Sequence, residues 1–306
     1  VGVPKTLLEL KSEHDYAVIE MAMRARGEIA LLTQIARPTI GMIANVGTAH
    51  IGRLGSEEAI AQAKCELLAE MPQDSIAVLN HDNQRLMTTA ATVWQGETIT
   101  YGLAGGDITG ELIDPQTLRV ENMNFPLPLP GLHNASNYLG ALAVAKILGV
   151  EWEPLTQGLT VNLPSGRSRR DELPNDIVIL DETYNAGLES MLAALHLLKE
   201  TPGNRHIAVL GTMKELGERS PQFHQQVGEM VKQLGIDQLF VLVDDLEAEA
   251  IAEGASGVPT ACFKTHEELV KRLIEMVTSG DRLLFKASNS VGLNRVVEQF
   301  RTQTER

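Results

Sequence analysis

The sequence predicts an α/β protein of two domains, each built on a mostly parallel sheet. Short continuous apolar runs, such as 40–46, 177–180 and 239–243, read as strands buried on both faces. Amphipathic segments of helical length separate them. The alternation breaks once, at a Gly- and Pro-bearing stretch between Tyr101 and Pro130, and settles into a regular rhythm after Pro164-Ser165-Gly166. That punctuation divides the 306 residues into domains 1–164 and 165–306, each large enough to bury its own core.

In the first domain, residues 16–21 (YAVIEM) read as a buried strand ending near the carboxylate of Glu20. A helix over 27–36 is stopped by Arg37-Pro38. A strand follows at 39–46, ending in small residues that lead to His50. Ser56 is a good N-cap, with Glu57 and Glu58 in the first turn where the helix dipole favours them. On that helix Ile60, Lys64, Leu67 and Leu68 share one face, the face expected to be buried. Residues 75–79 form another short strand. Alternating runs such as Leu118-Arg119-Val120-Glu121 make two or three antiparallel strands before Pro126–Gly131, and an alanine-rich helix runs from Leu132 to Leu148. In the second domain, strands at 177–180, 206–210, 239–243 and 283–286 alternate with amphipathic segments near 188–199, 222–234, 245–253, 266–278 and 291–302. A short extended piece lies at 261–263. This is a doubly wound pattern, and such sheets place ligands at the carboxyl ends of their strands. The informative residues are therefore Asp181-Glu182-Thr183-Tyr184-Asn185, Gly211-Thr212-Met213-Lys214 and Ala287-Ser288-Asn289-Ser290.

Composition excludes several classes. A net charge of −14 argues against non-specific binding to nucleic acid or to an anionic membrane. Cys65 and Cys262 lie far apart and form no CxxC spacing, so a disulfide framework and a zinc site are not expected and a reducing cytoplasm is the default. No apolar stretch approaches the roughly 18 residues of a membrane span, and no signal peptide opens the chain. No GxSxG elbow or hydrolase triad is legible, and His81, His196, His206 and His266 read as surface or structural.

Glu20, His50 and Lys64 are the residues whose chemistry could converge. Carboxylate and imidazole together can begin a magnesium or manganese shell. Lys64 can join it only if carbon dioxide converts the amine to a carbamate, which needs the depressed pKa that burial supplies. The plain alternative is a strand-end acid, a capping histidine and a lysine snorkelling to water. No GxxxxGK[ST] phosphate loop occurs, and Gly211–Gly217 has the wrong spacing for one. The chain opens at Val1 without methionine, so the expectation is a piece of a longer protein whose phosphate loop lies upstream.

Six motifs in order carry a resemblance: Val1-Gly2-Val3-Pro4-Lys5-Thr6-Leu7-Leu8, Asn45 to His50, Gly55-Ser56 with Ala63-Lys64-Cys65-Glu66, Leu129 to Asn137, Asp181 to Ala186, and Val209 to Gly217. Together they resemble the Mur ligases, and among them the branch that adds D-alanyl-D-alanine to UDP-N-acetylmuramoyl-tripeptide in peptidoglycan synthesis. The resemblance implies a truncated central ATPase domain, with a small antiparallel patch on its parallel sheet, followed by a Rossmann-like C-terminal domain. It implies ATP and two magnesium ions as cofactors, an acyl-phosphate intermediate, and a cytoplasmic monomer. Glu20 and His50 would ligate magnesium, and Lys64 would be the carbamylated lysine bridging to one ion. Asn134 and Asn137 would contact adenine, Arg167 the terminal phosphate, and Asp181 or Glu182 the nucleotide side. Asn185, Lys286 and Ser288 would touch the peptide. Three departures stand out: Asp-Glu-Thr-Tyr-Asn-Ala-Gly replaces the family's Asp-Asp-Ser-Tyr-Asn-Ala-Asn, Ala287 and Asn289 replace a glycine and a basic residue, and the phosphate loop is missing. These 306 residues are expected to be inactive alone. The rival readings are another amide ligase of this fold, of the diaminopimelate-adding or folylpolyglutamate type, and a non-catalytic binding protein that kept the fold.

Overall fold

The computed structural model of the chain describes residues 2–304. It falls into two compact units that meet in sequence at Thr160 and Val161.

The first unit opens with α1 (Gly2–Leu8), an irregular stretch and α2 (Glu28–Ala36). Then come β1 (Ile40–Ile43), α3 (Ile51–Leu54), α4 (Glu57–Glu70), β2 (Ile76–Asn80), α5 (Gln84–Val93) and β3 (Glu97–Gly102). β4 (Ile108–Asp114), β5 (Thr117–Val120), β6 (Met123–Pro126) and α6 (Leu132–Ile147) complete it. One sheet runs in the order β1-β2-β3-β4-β5-β6. Its first four strands are parallel, and β5 and β6 fold back as an antiparallel meander. Helix α6 covers one face through Tyr101, Leu118, Phe125, Leu139 and Leu142, all essentially inaccessible. Gly140 permits that approach, because a Cβ there would come within 2.8 Å of the Tyr101 ring. Strand alternation turns Gly41 the other way, against Leu67 and Met71 at the end of α4.

The second unit contains β7 (Arg169–Leu173), β8 (Ile177–Asp181), α7 (Leu188–Glu200), β9 (Arg205–Gly211), α8 (Ser220–Gln233) and β10 (Gln238–Leu242). It ends with α9 (Glu249–Gly254), β11 (Thr260–Phe263), α10 (His266–Met276), β12 (Asp281–Lys286) and α11 (Asn294–Thr304). Its sheet runs β11-β10-β9-β12-β8-β7, parallel except for β7, which lies antiparallel to β8 at the edge. Helices α10 and α11 bury a continuous core with Ile179, Val209, Phe240, Leu283 and Phe285. The extended piece at 261–263 is the opposite edge strand, paired with β10.

One expected strand does not form. Residues 16–21 are irregular, with Tyr16 59% and Val18 96% exposed. A strand is stable only when a neighbour satisfies its ladder, and among the described residues β1 has β2 on one side and no strand on the other. The strand expected at 39–46 also stops at Ile43, leaving 44–50 as loop. Two strands that were not expected appear, β3 (ETITYG) and β7 (RRDEL). Both are too polar to resemble buried runs; β7 tolerates its charges because it lies at an edge.

Candidate functional site

In the first unit, Ile43 lies beside Leu79 in register, so the loops after β1 and β2 leave the same edge of the sheet. Ser56 caps α4 by accepting the Ala59 N–H at 3.1 Å. Ile60 and Leu68 are fully buried, and Lys64, between them on that face, is half-buried. Its Nζ donates to the Asn45 carbonyl at 2.7 Å, tying α4 to the loop after β1. The same loop is held by Asn83, whose amide donates to the Asn45 side-chain oxygen at 2.5 Å and to the Val46 carbonyl at 2.9 Å. Asn83 also caps α5, accepting the Leu86 N–H at 2.9 Å. Buried Asn80 joins the Ala44 carbonyl, 3.0 Å away, to the Ser136 hydroxyl of α6, 3.4 Å away.

His50 ends this loop as the N-cap of α3, half-buried and held at φ 66°, ψ 17°. That left-handed backbone is uncommon for a side-chain-bearing residue and marks a position fixed by its surroundings. Glu20 is exposed on the irregular stretch and takes part in none of these bonds. Among the described residues, no three His, Cys, Asp or Glu side chains gather as a metal-holding group. Asn134 sits in the first turn of α6, its amide donating to the Pro130 carbonyl at 2.8 Å; Asn137, one turn on, is exposed on the same side.

In the second unit, the expected residues sit where β8, β9 and β12 end. Asp181 is buried, and one of its oxygens accepts both the hydroxyl (2.6 Å) and the N–H (3.1 Å) of Thr183. The turn that follows is closed by Tyr184 N–H donating to the Gly166 carbonyl, 2.8 Å, and the Arg167 guanidinium lies 4.4 Å from the centre of the Tyr184 ring. Lys286 is only 4% exposed, and its Nζ donates to the Asn185 carbonyl at 2.9 Å. The Glu182 carboxylate lies 3.9 Å away. Burial pushes the Lys286 ammonium below the usual lysine range; Glu182 opposes the shift, and Arg167 adds to it. Buried Ser288 accepts the Lys214 N–H at 2.9 Å and donates its own N–H to the Thr212 carbonyl. Lys214, which the resemblance left without a role, lies 3.1 Å from Asp244 and 3.3 Å from Asp245. Burial works against its charge, but bonds to these two carboxylates outweigh it and raise its pKa. Asn80, Asn83 and His224 were not singled out from the sequence, and only a strand-end position hinted at the first two; Lys214 was named there as a residue following a strand, without a partner.

The arrangement offers, in each unit, hydrogen-bonding and charged groups at strand ends, as phosphate- and carboxylate-handling α/β sites do. Known proteins match in the same two parts. A model of the Mur ligase middle domain matches residues 1–145, and one of the Mur ligase glutamate ligase domain matches residues 166–289. The UDP-N-acetylmuramoyl-tripeptide–D-alanyl-D-alanine ligase of Synechocystis sp. is 61% identical over 98% of this chain and 66% of its own length. The ligase of that name from Escherichia coli K12 is 34% identical over 97% of this chain and 68% of its own length. The chain thus spans about two thirds of these relatives. Among solved structures, the MurF ligase of Thermotoga maritima in complex with ADP is 30% identical, with a TM-score of 0.83 over 95% of this chain and 69% of that one. MurF from Acinetobacter baumannii is 29% identical, with a TM-score of 0.89 over 98% and 68%.

Proposed function

The chain belongs to the Mur ligase family, and we propose that the whole protein is the ATP-dependent ligase joining D-alanyl-D-alanine to UDP-N-acetylmuramoyl-tripeptide, working in the cytoplasm as a monomer. The observation that carries this is the 61% identity to the Synechocystis ligase across both domains, against 34% for the Escherichia coli one. ATP transfers its terminal phosphoryl group to the tripeptide carboxylate, giving an acyl phosphate and ADP. The dipeptide amine attacks that carbonyl, an amide forms, and phosphate leaves. A carboxylate is a poor electrophile, and phosphorylation supplies the leaving group it lacks.

In this reading Glu20, His50 and a carbamylated Lys64 would hold two magnesium ions, whose chemistry would be to neutralise charge on the phosphoryl oxygens. The donor set fits such hard ions through Glu20, and Lys64 fits the modification. A carbamate keeps one N–H, so the bond from Nζ to the Asn45 carbonyl can persist after carbon dioxide adds. Asn134 and Asn137 present amides to adenine, which both donates and accepts along its edge. Arg167 meets the terminal phosphate. Glu182 takes the acidic role, because an Asp181 oxygen already braces the turn through Thr183. Asn185, Lys286 and Ser288 line the peptide side.

Phosphate release by the full-length protein tests this, with ATP, UDP-N-acetylmuramoyl-tripeptide and a panel of amines. D-alanyl-D-alanine alone should support turnover; release driven equally by diaminopimelate or glutamate would refute the assignment. Separately, 13C-bicarbonate should give a carbamate carbon resonance that the Lys64→Ala protein lacks.

A further inference from the structure

A buried imidazole braces the loop that follows β9. His224, on α8, is inaccessible to solvent. Its Nε2 lies 2.9 Å from the Met213 N–H, and its Nδ1 lies 2.7 Å from the Ser220 carbonyl oxygen. A backbone N–H only donates and a carbonyl only accepts, so one arrangement satisfies both: hydrogen on Nδ1 and a lone pair on Nε2. The Ser220 hydroxyl, 3.2 Å from Nδ1, donates its own proton to Glu247 at 2.5 Å. Beyond Met213 the loop continues the line. The Thr212 hydroxyl donates to Asp244, and the Lys214 N–H donates to the Ser288 hydroxyl at 2.9 Å. One run of bonds thus joins Glu247, Ser220, His224 and the 212–214 backbone to the end of β12.

We propose that His224 is a positioning residue: its Nδ1-protonated ring fixes the 212–214 loop, and through it the Ser288 hydroxyl, in the orientation that receives the acceptor peptide. The bracing is read from bonds inside the second unit; only its consequence for the acceptor rests on the ligase reading. The charged groups facing the ring are Glu247, Lys214 and Asp245. A proton on Nε2 would set two N–H donors against each other and release Met213. Glutamine at this position can place an oxygen near where Nε2 ends and does not titrate, whereas leucine fills the space without an acceptor.

Amide hydrogen exchange on the full-length protein tests the brace, with acceptor KM as the second readout. His224→Leu should speed exchange at Met213 and Lys214 by about tenfold, the factor expected for one buried hydrogen bond, and raise acceptor KM by a similar factor. His224→Gln should stay near the parent in both. Between pH 7 and pH 5, the parent should gain exchange at Met213 beyond the chemical pH dependence, and the glutamine variant should not. Unchanged exchange in His224→Leu overturns the proposal. So does a glutamine variant that follows the parent's acid response, a comparison that holds even if the leucine variant does not fold. Faster exchange with unchanged acceptor KM overturns the positioning role. A parent without D-alanyl-D-alanine-dependent turnover would instead count against the ligase reading, and the exchange comparison would still decide the brace.

Discussion

Replacing Asn83 with alanine removes three bonds at once, and the structure says how they divide. The side-chain oxygen caps α5 through the Leu86 N–H, a contact worth about 1 kcal/mol. The amide makes two bonds to the loop after β1, one to the Asn45 side chain and one to the Val46 carbonyl. Each is worth about 1 kcal/mol, less where water can replace it at the half-buried rim. The expected loss is about 2 kcal/mol. Both tryptophans, Trp94 and Trp152, are buried in the first unit, and Trp94 directly follows α5, so tryptophan fluorescence reports this unit alone. At a urea m-value of about 2 kcal/mol/M the midpoint should fall by about 1 M. Asn83→Ser keeps the cap and loses the amide, so it should recover about half of that shift. A midpoint for Asn83→Ala within about 0.2 M of the parent, at unchanged m, would refute the account of how this loop is held.

Other outcomes follow from the same bonds and distances. Helices α8 and α9 meet backbone to backbone at Gly228, where an added Cβ would collide with the Ile251 carbonyl. Gly228→Ala should therefore cost about 3 kcal/mol, seen as a lower midpoint of the circular-dichroism transition that tryptophan fluorescence does not share. Cys65 is 1% exposed and burial pushes its thiol up to about 11, while Cys262 is exposed. Ellman's reagent at pH 8 should thus titrate one thiol in the native chain and the second only after denaturation. Burial, the largest influence on His224, holds its pKa below the usual imidazole value of about 6.5 despite the opposing Glu247. A depressed base contributes stability that is full above the unfolded value and lost as pH falls through the folded one. The urea midpoint of the second unit should therefore fall faster with acid in the parent than in His224→Gln, and parallel curves would show that His224 does not titrate there.

Much of the architecture was written in short-range pattern. Runs such as 177–180 and 239–243 became β8 and β10 because a strand covered on both faces must be apolar throughout. Ser56 capped its helix as its side chain dictates, and the Ile60–Lys64–Leu68 face turned inward because helical spacing fixes it. The edge strand β7 escaped notice for the converse reason, since it can carry Arg-Arg-Asp-Glu where solvent reaches it. Residues 16–21 show the limit of pattern: strand-forming composition is not a strand without a neighbour to complete its hydrogen bonds.

By itself, then, the sequence determined the type of the strongly periodic elements, the two-part pattern and which residue types stand at strand ends, because those depend on local periodicity and turn chemistry. Only the tertiary structure decided that Lys64 reaches the Asn45 carbonyl, that Asn83 holds that same loop, and that His224 meets Met213 eleven residues back along the chain. Such bonds depend on strand register and helix placement, which are set by packing across the whole sheet and leave no mark at any one spacing.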